Sequence, residues 1–131
     1  MLTIYIHIVG PKRIWIIGSS IIKRAFCYAR QSTFGANLEL ERHKTTIFWQ
    51  GKGGMGLEEI YPKVKTLLKV EDEPHMLVIH CGGNNIPANK GSKSADLRFQ
   101  LRAMLDKLAK LLPSTILVWS QILPRLHWRG G

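Results

Sequence analysis

Cysteine is scarce in this chain. The 131 residues hold two, Cys27 and Cys81, too few for a disulfide framework and without the paired spacing of a zinc site. Both stand in apolar surroundings, where cysteine serves as a small buried hydrophobe, and their number fits a reducing, intracellular compartment. Long hydrophobic runs are missing too, since none approaches the roughly 18 residues that cross a bilayer. The apolar stretch from Leu2 to Val9 is short and lacks a basic start and a small-residue cleavage site. It reads as an extension (1–11) ahead of a domain at 12–131, not as a secretory signal. There is no low-complexity segment, and the length suits one domain burying roughly two thirds of its unfolded surface. Acidic residues are the last shortage: 9 Asp and Glu face 19 Lys and Arg, for a formal charge of +10. So basic a surface attracts phosphate-rich partners, nucleic acid among them. The basic residues are nevertheless scattered, with no aromatic-flanked RNA motif beside them.

What is present is an alternation of apolar strands and amphipathic helices. A strand at about Arg13 to Gly18 leads into a helix from Ser20 to Arg30, and 31–44 has no periodicity and reads as loop. A second strand, Thr45 to Gln50, runs through glycines into a helix from about Glu58 to Lys69. That helix has its acids first and its lysines last, as its dipole favours, and tolerates Pro62 near its start. Val64, Leu67 and Leu68 form its inner face. The continuous apolar run His75 to Cys81 suits a strand buried on both faces. A helix from Ser94 to Leu112 carries Leu97, Leu101, Met104, Leu105, Leu108, Leu111 and Leu112 at helical period, with Asp106 and Lys110 spaced to pair. A fourth strand covers Thr115 to Trp119. Such alternation predicts a three-layer α/β sandwich around a parallel sheet.

Three polar clusters follow the first three strands: Gly18-Ser19-Ser20, Gly51-Lys52-Gly53-Gly54 and Gly82-Gly83-Asn84-Asn85. Ligands of open α/β sheets bind beyond the strands' carboxyl ends. A serine at a strand-to-helix junction presents its hydroxyl beside free N–H groups and the positive helix end, and equally it can cap the helix. Glycines let backbone approach a ligand and offer an N–H to an oxyanion, or simply make a tight turn. An asparagine amide can supply a further donor, or occupy a left-handed turn.

In this order, the clusters resemble the first three sequence blocks of the SGNH/GDSL hydrolases, a superfamily of esterases, lipases and platelet-activating-factor acetylhydrolase-like proteins. The resemblance covers about Lys12 to Trp128. It implies a flavodoxin-like α/β/α sandwich of sheet order 2-1-3-4-5, with the fifth strand and last helix missing here. It also implies hydrolysis of small acyl esters without metal or organic cofactor. Ser20 matches the nucleophile (Ser19 the alternative), Gly54 the backbone oxyanion donor (Gly53 the alternative) and Asn84 the side-chain donor. The Trp15-x-x-Gly18-Ser19-Ser20 start and the Leu123-Pro124-Arg125 segment are also similar to SGNH-like domains of transposon-associated animal proteins.

Departures from the pattern carry weight. Ser19 and Asn85 stand where the family usually has aspartate, and its Asp-x-x-His block after a fifth strand has no counterpart. A serine without an imidazole to take its proton is a poor nucleophile, so weak or absent activity is expected. His127, after the fourth strand, is the candidate substitute; His43 and His75 precede strands, His80 lies within one, and His7 is in the extension. Cys81 has nothing to activate it. The rival reading is a noncatalytic basic module that binds nucleic acid. An unpaired fourth strand, apolar on both faces, further predicts self-association.

Overall fold

The computed structural model describes residues 10–81 and 94–120, with the backbone alone at 94–96. The extension at 2–9, the Gly82-Gly83-Asn84-Asn85 cluster, Leu123-Pro124-Arg125 and His127 lie outside the described residues.

Four strands form one parallel sheet in the order β2-β1-β3-β4. They are β1 (Lys12–Gly18), β2 (Thr45–Gly51), β3 (Met76–His80) and β4 (Ile116–Trp119). The expected strands are therefore all present, each within a residue or two of its anticipated ends. The order matches the expectation as far as the described strands go.

Side chains alternate across the sheet, and the alternation assigns the layers. Trp15, Ile17, Leu77 and Ile79 are fully buried on one face, beneath α2 (Ile60–Leu67) and α3 (Ser94–Leu111). Val64 and Leu67 of α2 and Met104, Leu108 and Leu112 of the α3 region fill the same core, with Leu68, Leu97, Leu101, Leu105 and Leu111 packed at its margin. The helical stripes thus face where their period places them. The other face carries α1 (Ser20–Gln31), which lies over β1 and β2 through Ile22 and Phe26. Gly18 and Gly51 allow this approach: a Cβ at Gly18 would overlap the His80 carbonyl and Ile22, and one at Gly51 the Lys23 backbone.

Three local expectations need correction. The helix foreseen at Glu58–Lys69 is a 3-10 turn, Leu57–Glu59, followed by α2, which ends at Leu67. Pro62 sits in its first turn as tolerated there. The segment 31–44 is not all loop, since Leu40–His43 makes a 3-10 turn. Asp106 and Lys110 form no ion pair, unlike Glu39–Arg42 and Lys52–Glu59.

The two sheet edges differ. Residues of the loop before β2 reach its outer side: the Ile47 N–H donates to Asn37 Oδ1 at 2.8 Å and the Trp49 indole N–H to the Ala36 carbonyl at 2.8 Å. In β4, Ile116 and Ser120 donate to the His75 and Ile79 carbonyls of the β3 strand region. The alternate groups of Leu117 and Trp119 therefore point away from the sheet.

Candidate active site

The carboxyl ends of β1, β2 and β3 meet at one edge, where Gly18 is in register with Gly51 on one side and His80 on the other. Two backbone hydrogen bonds prolong the pairing beyond the strands: Lys52 N–H to the Gly18 carbonyl at 3.0 Å, and Ser19 N–H to the His80 carbonyl at 3.2 Å. The first two clusters are thereby stitched to each other and to the end of β3.

Ser19 is the N-cap of α1, buried, and its side chain makes no capping hydrogen bond. Capping does not account for the serine pair. Ser20 is the first helical residue, half-buried. The helical ladder starts with the Ile22 N–H on the Ser19 carbonyl at 3.0 Å, so the N–H groups of Ser20 and Ile21 have no acceptor within the helix. Ser20 lines a hollow of about 470 Å³ with Lys23, Arg24, Cys27 and Gly53. Lys23, Arg24 and Cys27 were not foreseen, yet the spacing 20, 23, 24, 27 is one helical stripe and the sequence held that signal. Two cations and a helix N-terminus make this hollow electropositive, a setting that favours developing negative charge.

Gly53 and Gly54 are both exposed, and Gly54 has φ +76, a left-handed turn that glycine adopts freely. Gly53 is the one that lines the hollow beside Ser20. A clamp holds this glycine turn: Lys52 Nζ meets Glu59 Oε1 at 2.6 Å, and Glu59 Oε2 accepts the Gly56 N–H at 2.8 Å. These two bonds hold the Glu59 carboxyl below its ordinary pKa.

The histidines sort by edge. His43 and His75 lie at the opposite, amino end of the sheet, where His75 Nδ1 accepts the Arg13 N–H at 2.9 Å. Asp72 and His75 stand three apart, the spacing of the family's last block, but before β3 and at that wrong edge. His80 is buried at the end of β3, its Nδ1 2.8 Å from Ser120 Oγ, and burial lowers its pKa so that the ring is neutral. Cys81 is buried as well, its thiol pushed up to about 12 by burial and by Glu58 and Glu59, which fits its reading as a hydrophobe. No group of His, Cys, Asp and Glu among the described residues could hold a metal ion. None of the described helices is long and apolar enough to cross a membrane.

The fold is similar to that of several solved structures. AlinE4, an SGNH-hydrolase family esterase, superposes with a TM-score of 0.61 over 90% of this chain at 17% identity. The chain has the SGNH-hydrolase fold. A candidate platelet activating factor protein from Streptococcus pneumonia gives a TM-score of 0.61 at 23% identity over 88% of the chain. A candidate acylhydrolase from Bacteroides fragilis gives 0.57 at 20% identity over 86%. The chain spans 64%, 48% and 49% of those three structures, in that order. No protein-family model and no curated protein sequence matches it.

Proposed function

We propose that this chain is a serine-dependent acyl-ester hydrolase domain of SGNH type, slow because the Asp-x-x-His block expected after a fifth strand has no counterpart in the 131 residues. The observation that carries the reading is the hollow shared by Ser20 and the glycine turn, at the sheet edge where the fold's relatives would place chemistry. Ser20 Oγ attacks the ester carbonyl, its proton passing through solvent water to the departing alkoxide, which leaves as the alcohol. Water then cleaves the acyl-enzyme, releasing the acid and restoring the Ser20 hydroxyl. The N–H of Gly54 or Gly53, the Asn84 amide and the Ser20 N–H stabilise the oxyanion, with Lys23 and Arg24 adding positive potential. Oxyanion donors without a base sustain only a small residual rate.

The test is a fluorophosphonate probe with mass-spectrometric site mapping, alongside a short-chain p-nitrophenyl ester. Adduct at Ser20, lost in Ser20→Ala together with any ester turnover, is the expected result. No adduct, or labelling unchanged in Ser20→Ala, overturns it. Salt-sensitive retention on DNA without labelling would favour a noncatalytic binding module instead.

A further inference from the structure

Seven large apolar side chains are exposed among the described residues, and four of them line a single open groove of about 560 Å³. They are Ile21 (37%), Tyr28 (79%), Phe34 (57%) and Leu38 (42%). Trp49 forms part of the wall, fixed by its bond to the Ala36 carbonyl and by its 5.9 Å ring contact with Phe26. Contiguous apolar surface of this sort marks a binding site more often than chance exposure does. The groove's rim is also built at a cost. Leu38 and Glu39 both take left-handed backbone, φ 51 and 62, a conformation unfavourable by roughly 1–2 kcal/mol for a non-glycine residue. That strain delivers Leu38 to the groove and not to the core.

Groove and hollow flank the same helix and share Arg24. Arg24 and Lys23 are exposed, and among the described residues no carboxylate lines either cavity. Both volumes fall in the range of small-molecule sites. An apolar trough with Arg24 on its wall, adjoining across Arg24 a hollow that also holds Lys23, has the polarity of one type of ligand. We propose that it binds a single anionic amphiphile: one alkyl chain along Ile21, Tyr28, Phe34 and Leu38, and a carboxylate or phosphate head on Lys23 and Arg24. The cations select against a positively charged or neutral head. The head sits on cations that also line the Ser20 hollow, yet binding requires no attack by Ser20.

Isothermal titration with dodecyl phosphate, below its micellar concentration and at low salt, tests it. One molecule binds per chain. Dodecyltrimethylammonium, with the same chain and opposite charge, and inorganic phosphate alone each bind at least about tenfold more weakly. Leu38→Glu and the double variant Lys23→Glu/Arg24→Glu each lose about tenfold or more. Tyr28→Ser changes a side chain already mostly in solvent, so it keeps the fold and still weakens binding. Wild-type affinity in Tyr28→Ser and in the double-charge variant, equal affinity for the cationic amphiphile, or saturation only by phosphatidylglycerol vesicles would overturn the proposal. Binding that persists when Ser20 takes no fluorophosphonate keeps this inference and sinks only the hydrolase reading.

Discussion

Burial decides which of the two thiols can react. The thiolate is the nucleophile, and Cys81, with its pKa raised to about 12 by burial and two neighbouring glutamates, is a neutral thiol at any physiological pH. Cys27 is half-buried on the hollow's wall. Iodoacetamide at neutral pH should therefore alkylate Cys27 alone in the native protein and both cysteines in urea, as read by peptide mass spectrometry. A native adduct on Cys81 would contradict the packing described. His80 gives a second test. Its folded pKa lies below the ordinary 6.5 because burial disfavours the imidazolium. The unfolded chain consequently binds the proton first as pH falls. Stability should be complete above 6.5, decline as pH drops toward the lowered folded value, and lose nothing further from this group below it. Urea melts across that window should show the decline in the wild type and a flatter profile in His80→Gln.

At the scale of elements, close approach of α1 to the sheet depends on Gly18. A methyl group there meets the His80 backbone carbonyl, which cannot swing away as a side-chain tip can. Gly18→Ala should cost at least the upper part of the ~1–3 kcal/mol typical of overpacking, measured by urea denaturation. The glycine turn has its own support in the Lys52–Glu59–Gly56 clamp. Glu59→Gln should speed amide exchange at Gly56 while leaving β2 protected; unchanged exchange would mean that the clamp holds nothing. The elements most legible in the sequence were those whose residues point one way at every level. β1 and β3 are apolar runs ended by polar clusters, and α3 has a stripe from Leu97 to Leu112 with Pro113 to stop it. The 31–44 segment was not legible. Its form rests on Asn37 and Ala36 reaching β2, contacts ten and thirteen residues away, and on left-handed Leu38 and Glu39, which no propensity favours. The end of α2 was overrun because Leu68 and Lys69 are good helix formers, yet the last turn tightens into 3-10 bonds from Lys69 and Val70. Of the site, Ser20 and the glycines could be placed because strand ends announce them. Its cations were missed because Lys23 and Arg24 look like any solvated helix face until Ser20 fixes which stripe matters.

For the molecule as a whole, the core lies on the α2–α3 side of the sheet, and Leu108 is fully buried within it. Leu108→Ala should cost ~2–5 kcal/mol. Beyond the core, β4 pairs only with β3 among the described strands, and its Ile116–Trp119 run holds neither lysine nor proline, the residues that discourage edge pairing. We expect reversible self-association through β4, seen as a rising average mass in sedimentation equilibrium and reduced by Ile116→Lys. A concentration-independent monomer mass for the wild type would rule it out.

The Asn37 bond to the Ile47 N–H blocks a rung of the β2 edge and so bears on how far such association can go. Where that blocked rung keeps β2 from pairing, a sheet that lengthens beside β4 alone has a single valence, so two chains satisfy each other around a twofold axis and growth halts. Concentrated samples should hold pairs and no filaments, and opening the guarded side, by Asn37→Ala, is what would turn a terminating contact into a propagating one.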